Sequence, residues 1–211
     1  MARKRVAILI SGRGSNMVAL IAAAKELNYP AEIALVISND PAAEGLKRAA
    51  SEGISTSVID HKKFGKDREA FERALQAELQ AHHIELVCLA GFMRLLTSWF
   101  VRQWDGRLLN IHPALLPAFK GLDTHARAIA AGAKEHGATV HFVVPEMDSG
   151  PIIAQAAVPV HPGDTEAALA ARVLEVEHRI YPQALRWVAE GRVRVVNGQC
   201  LVDGKPVAGT A

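Results

Sequence analysis

Little in this chain of 211 residues points to chemistry that depends on thiols, metals, membranes or polyanions. Its two cysteines, Cys88 and Cys200, lie far apart and make no pair with zinc-ligand spacing. Cys88 sits in the apolar run Leu86-Val87-Cys88-Leu89-Ala90 and reads as a buried thiol, which fits a reducing, cytoplasmic setting. A formal net charge of +2 is too small to argue for a nucleic-acid partner. No stretch approaches the ~18 apolar residues of a membrane span. Arg3, Lys4 and Arg5 precede the apolar run Val6–Ile10 as in a signal peptide, but a signal needs ~7–15 apolar residues and a cleavage site. Nine histidines invite a metal reading. Yet His82 and His83 are adjacent at a helix end and point apart, and His136 and His141 straddle a loop-to-strand boundary. No His-Glu-x-x-His or comparable ligand set appears, so these histidines read as packed or solvated and no metal is expected.

What remains is a globular balance, half hydrophobic and 22% charged. A chain of this length buries ~70% of its unfolded surface and needs no metal or disulfide to make a core. Short apolar runs alternate with helical-period segments, the pattern of a wound parallel sheet. Strands are predicted at Val6–Ile10, Ile33–Ser38, Thr56–Ile59, Leu86–Ala90 and Leu108–His112. Helices are predicted over about Met17–Leu27, Ala43–Glu52, Asp67–Ala81, Thr124–Ala131 and Glu166–Ala189. Ala138–Val144 and Pro151–Val160 bracket a turn and are expected to add an antiparallel pair to the sheet. Val193–Val196 and Gln199–Val202 around Asn197-Gly198 form the best hairpin signal. The expected fold is therefore α/β, Rossmann-like and parallel in the N-terminal half, extended by antiparallel strands. One domain over 1–211 accommodates it, with halves of about 1–105 and 106–190 and a tail hairpin of about 191–211.

Three places carry candidate chemistry. Ser11-Gly12-Arg13-Gly14-Ser15-Asn16, between a strand and a helix, can turn sharply and aim N–H groups at an anion. Met17 stands where a dinucleotide fingerprint needs a third glycine or alanine, and no Walker lysine follows, so a single phosphate fits better than a pyrophosphate. A purely structural turn is the alternative. Asn110 and His112 are two apart on a strand and share a face; together they can donate to an oxyanion, and the histidine can move a proton. An Asn-x-His at a strand end can equally be structural. Asp148, in Met147-Asp148-Ser149-Gly150, reads alone as a turn former, but a carboxylate held near His112 would orient its ring.

These motifs occur together in one order. Ile10-Ser11-Gly12-x-Gly14-Ser15-Asn16, Leu89-Ala90-Gly91-Phe92-Met93-Arg94, Leu109-Asn110-Ile111-His112-Pro113 and Asp148-x-Gly150-Pro151 are followed by Glu177-His178-x-Ile180-Tyr181-Pro182. From about Arg5 to Val202 the arrangement resembles the folate-dependent formyltransferases, and among them those that formylate glycinamide ribonucleotide in purine synthesis. The resemblance implies that Asn110, His112 and Asp148 are catalytic. It implies that Gly14, Ser15 and Asn16 bind the ribonucleotide phosphate and that Leu174, Glu175, Val176 and Glu177 line the ribonucleotide site. It assigns 10-formyltetrahydrofolate, as co-substrate, to Arg68, Met93, Arg94, Leu95, Leu96, Asn110, Val144, Pro145, Glu146, Met147 and Asp148. Two positions depart from the family pattern: Asp123 stands where many members have histidine, and Leu174 where several have a polar or basic residue.

The implied reaction is attack of the ribonucleotide amine on the formyl carbon, with no metal, nicotinamide, nucleic acid or membrane partner. A cytoplasmic monomer or homodimer is expected. A formyltetrahydrofolate hydrolase would carry a further N-terminal domain, whereas the first strand here begins at Val6. A transfer-RNA formyltransferase would carry an RNA-binding domain after Val202. A non-catalytic nucleotide-binding module explains the glycine loop but leaves Asn110, His112 and Asp148 without a role.

Overall fold

A run of apolar residues without polar alternation must be a strand covered on both faces. Val6–Ile10, each residue 0% exposed, is such a run, and it forms the larger part of β1 (Lys4–Ile10). The computed structural model describes residues 2–207. The chain divides into two units, Met1–Asn110 and Ile111–Ala211. Positions 208–211 of the expected tail lie outside the described residues.

In the first unit, β2 (Ala31–Ser38) and β4 (Leu86–Leu89) flank β1, and β3 (Thr56–Val58) pairs with β2, all in parallel. β5 (Leu108–His112) pairs with β4, also in parallel. In the first unit the strand order is β3-β2-β1-β4-β5. Helix α1 (Ser15–Ala24) buries Met17, Leu20, Ile21 and Ala24. It starts at Ser15 rather than near Met17 and stops three residues before Leu27, which is 96% exposed and so gives the helix nothing to bury. Helix α2 (Glu44–Ser51) is short, and α3 (Arg68–Ala81) buries the expected face of Phe71, Leu75 and Leu79. Asp67 caps α3 by accepting the Ala70 N–H at 2.9 Å. Two elements escape the sequence reading. A 3₁₀ turn at His61–Phe64 is capped by Asp60, and α4 (Ser98–Gln103) is capped by Thr97. Both are too short to show periodicity.

In the second unit, α5 (Thr124–Ala130) precedes β6 (Glu135–Phe142), which pairs antiparallel with β7 (Ile152–Pro159) as expected. Helix α6 (Glu166–Ala189) runs through Pro182, with Thr165 capping its first turn at the Ala168 N–H, 3.2 Å away. β8 (Val193–Val196) and β9 (Gln199–Val202) form the predicted hairpin, with Asn197 and Gly198 both at positive φ as a two-residue turn requires. The two-residue β10 (Lys205–Pro206) adds a third strand that the sequence does not announce.

β6 and β7 approach closely at Gly137, where an added Cβ would lie 2.1 Å from the Ala156 carbonyl oxygen. Gly137→Ala should therefore destabilise by ~1–3 kcal/mol in urea unfolding. Gly12→Ala, which meets nothing within 4 Å, should stay within ~0.5 kcal/mol. Equal effects would show that the β6–β7 contact is not what excludes a side chain at 137.

Candidate active site

Parallel sheets bind ligands beyond the carboxyl ends of their strands, where the strand order reverses. In the first unit that reversal lies between β1 and β4. The loop after β1 (Ser11, Gly12, Arg13, Gly14), the opening residues Ser15 and Asn16 of α1, and Ala90, Gly91 and Met93 after β4 line a pocket of about 240 Å³ there. Gly14 holds φ at +70, and a Cβ on it would stand 3.0 Å from the Met17 terminal methyl. Only glycine makes that turn without strain. No acidic side chain occupies the first turn of α1, so the positive end of its dipole is not offset by its own residues. Helix end, glycine turn and small pocket suit a single anionic group. Ser11 ties the two sides of this pocket together. Its hydroxyl donates to Asn39 Oδ1 at 2.5 Å and accepts the Met93 N–H at 2.8 Å, and its own N–H donates to the Gly91 carbonyl at 3.1 Å.

Beyond Gly91 the chain carries Met93 and Leu95, 64% and 67% exposed, an apolar shelf on a segment in no helix or strand. Arg68, at the start of α3, donates to the Leu95 carbonyl. Arg68 and Met93–Leu96 are thus neighbours, although 27 positions separate Arg68 from Leu95.

β5 ends at His112, with Asn110 two positions earlier on the same face of the strand. His112 is 5% exposed. Its Nδ1 faces Asp148 Oδ2 at 3.5 Å and its Nε2 lies 2.9 Å from the Phe119 carbonyl. An acceptor oxygen thus stands at each ring nitrogen. Two features place Asp148. It adopts φ +49, a left-handed conformation uncommon for aspartate. Two residues on, a Cβ at Gly150 would collide with the Phe142 carbonyl oxygen at 1.7 Å, so the turn can fold back against β6 only with glycine there. Asp148 Oδ2 also accepts the Gly121 N–H at 2.9 Å. The loop after β5 is fixed by Thr139 on β6, whose hydroxyl donates to Ala114 O at 2.7 Å and accepts from Leu116 N and Gln155 Nε2.

The structure thus brings His112 and Asp148 together and puts Asn110 on the strand that ends in His112. Val144, Pro145, Glu146 and Met147 occupy the turn that leads to Asp148. Leu174, Glu175, Val176 and Glu177 lie on α6; Val176 and Glu177 are buried and Glu175 is exposed. Asp123, at φ +54, is the residue before α5 and makes no side-chain cap.

Sequence reasoning misses His141 as a site neighbour. It lies on β6, 2% exposed, with Nε2 3.8 Å from Asp148 Oδ1 and Nδ1 2.8 Å from the Phe142 carbonyl. Burial lowers its pKa, with the Phe142 carbonyl and Asp148 opposing and His112 and Lys120 adding to the shift. A neutral ring donating from Nδ1 turns a lone pair toward Asp148, so His141 packs against the carboxylate without neutralising it. Only its place on a strand face shared with residues 137 and 139 could have marked it in sequence. His136, read from sequence as lying near a loop boundary, is inside β6 and 0% exposed. Its ring meets Phe119 and His125 edge-on at 5.7 and 5.2 Å. Burial, then the neighbouring His125, pushes the His136 pKa down from 6.5 to about 4.

Residues 4–185 match the family model described as formyl transferase. The chain is 45% identical over 200 residues to phosphoribosylglycinamide formyltransferase of Escherichia coli K12, covering 95% of this chain and 94% of that one. It is 51% identical over 191 residues to the trifunctional purine biosynthetic protein adenosine-3 of Gallus gallus, covering 90% of this chain but only 19% of that protein's length. Among solved structures, phosphoribosylglycinamide formyltransferase from Coxiella burnetii superposes with a TM-score of 0.91 at 45% identity, covering 98% of this chain and 97% of that one.

The His136 shift sets a pH dependence of stability. The unfolded chain takes up a proton at this residue near 6.5 while the folded chain resists until about 4. Between those values the unfolded state binds more protons, so stability falls as pH drops through the window. The midpoint of thermal unfolding should decline from pH 6.5 toward pH 4, and His136→Phe should flatten that decline. His125, His141 and His178 are shifted in the same direction, so part of the slope should persist. A variant with the wild-type slope would show that His136 does not contribute to it.

Proposed function

This chain belongs to the formyl transferase family, and from that premise we propose that it transfers the formyl group of 10-formyltetrahydrofolate to the amine of glycinamide ribonucleotide, a step of purine synthesis. The observation that carries the reading is the His112–Asp148 contact at 3.5 Å, at the end of the strand that also bears Asn110. Attack of the amine nitrogen on the formyl carbon puts negative charge on the formyl oxygen. Asn110 donates to that oxyanion through its amide, and His112 donates through Nε2–H, the ring edge turned away from Asp148. In this structure that N–H serves the Phe119 carbonyl, so the reaction exchanges one oxygen acceptor for another. Asp148 holds the opposite ring nitrogen and keeps the donor aimed. Collapse breaks the bond between the formyl carbon and folate N10, and the proton lost by the amine ends on N10. Tetrahydrofolate and the N-formyl ribonucleotide leave.

The anion pocket gives the acceptor its grip. Gly14, Ser15 and Asn16 hold its phosphate, Glu177 its ribose hydroxyls, and Leu174, Glu175 and Val176 line its path. Tethering the phosphate converts binding energy into orientation of the distant amine. Arg68, Met93, Arg94, Leu95 and Leu96 take up the folate from one segment, and Val144–Asp148 from another.

His112→Ala and Asn110→Ala should each lower kcat/KM by ~10²–10³, the usual cost of one oxyanion donor, in protein that circular dichroism shows to be folded. Wild-type turnover in either stable variant would remove that residue from the mechanism. The phosphate grip also separates transfer from hydrolysis, since water needs no such pocket. Loss of formyl from the folate should be slow alone, accelerate by orders of magnitude with glycinamide ribonucleotide, and leave the formyl group on the ribonucleotide. Rapid formate release that ignores the ribonucleotide would instead identify a hydrolase.

A further inference from the structure

Residues 91–97 form no strand or helix, so their backbone polar groups must find partners elsewhere. α3 supplies two of them and reaches Trp104, just beyond α4, with a third side chain. Arg68, Glu72 and Gln76 are spaced four apart and make one polar stripe along the helix. Arg68 donates to the Leu95 carbonyl; Glu72 accepts the Thr97 N–H at 2.6 Å and the Thr97 hydroxyl; Gln76 accepts the Trp104 Nε1–H at 2.7 Å. The central member is the unusual one. Glu72 is 1% exposed, and a carboxylate is rarely so buried unless its acceptors are used. Its bonds fall on Thr97, the residue where the irregular segment becomes α4. At the other end, Ser11 holds the Met93 N–H. Met93–Leu96 is therefore suspended between two fixed points, with its exposed apolar side chains in between.

We propose that Glu72 is a positioning residue for the folate: by fixing Thr97 it sets the height and tilt of the Met93–Leu96 shelf without touching the ligand. The inference rests on the folate reading of that segment. What the shelf needs from position 72 is an acceptor of the right length, not a negative charge. A glutamine there can accept the Thr97 N–H through its carbonyl and donate its amide to the Thr97 oxygen. A methionine fills similar space and leaves the Thr97 N–H without its acceptor.

Steady-state kinetics on the purified wild type, Glu72→Met and Glu72→Gln test this. Glu72→Met should raise the KM for 10-formyltetrahydrofolate ~10-fold, the scale of one buried hydrogen bond, with kcat and the ribonucleotide KM changed less than ~2-fold. Glu72→Gln should restore the folate KM. Amide exchange at 93–97, measured without ligands, should quicken in the methionine variant and not in the glutamine variant. If Glu72→Met does not fold, the pair Thr97→Val and Thr97→Ser carries the same comparison, with a higher folate KM expected only for valine. A folded Glu72→Met with wild-type folate KM, an equal rise in both KM values, or a Glu72→Gln no better than methionine would overturn the proposal. A wild type that binds no folate at all would instead remove the functional reading, and this inference with it.

Discussion

A carboxylate and an imidazole can face each other across 3.5 Å in a protein interior only if both backbones are held, because neither partner alone justifies its burial. In this chain the holding is done at some distance from the pair. Gly150 lets the turn close against Phe142, and Asp148 takes a left-handed conformation that fixes where its carboxylate points. His112 ends a strand, so its ring direction follows from the pleat, and the Phe119 carbonyl fixes the ring's rotation. The Phe119 carbonyl depends in turn on a loop pinned by Thr139 and by the contact of the Phe119 ring with His136. Disturbing any of these moves the donor before it alters the chemistry.

The first unit solves a related problem by other means. Its anion pocket is a consequence of topology, appearing where the parallel order reverses between β1 and β4. The shelf beside it has no ladder of its own. Its backbone bonds go to side chains of Ser11, Arg68 and Glu72, from the loop after β1 and from α3. A segment built this way can keep apolar side chains exposed and still hold one conformation, which a ligand-binding edge requires and a free loop would not deliver.

These two modes of support explain what sequence could and could not show. β5, α6 and the β8–β9 hairpin emerge with the predicted bounds because each carries a local signal: an apolar run ending at His-Pro, a long 3.6-residue period, and an Asn-Gly turn. α4, the 3₁₀ turn at 61–64 and β10 have six, four and two residues and carry none. At the site, Gly14–Asn16 and His112 stand out by residue type and position, each with a structural alternative, and Asp148 only once it is set against His112. The Asp148–Gly150 turn is visible as a motif, but not its collision constraint against Phe142. Glu72 looks like any helix-surface glutamate, since nothing local says that Thr97 will arrive to use it. His141 and the Phe119 carbonyl are likewise invisible, because what matters about them is a distance across the chain.

The histidines of the second unit complete the electrostatic arrangement. His125, His136 and His141 are each pushed below their ordinary pKa, by burial first, and His112 adds to the shift in all three. Of these three, His141 lies beside Asp148, 3.8 Å from its Oδ1, and a protonated His141 ring would compete with His112 for that carboxylate. Burial prevents this by keeping the surrounding rings neutral near pH 7, where they serve as polar packing. The cost is that acid recruits them: as pH falls toward 4, protons enter groups that the folded state disfavours charging. The burial that keeps His141 from competing for Asp148 is shared by His125 and His136 and makes the fold weaker in acid, so site electrostatics and stability meet at His141.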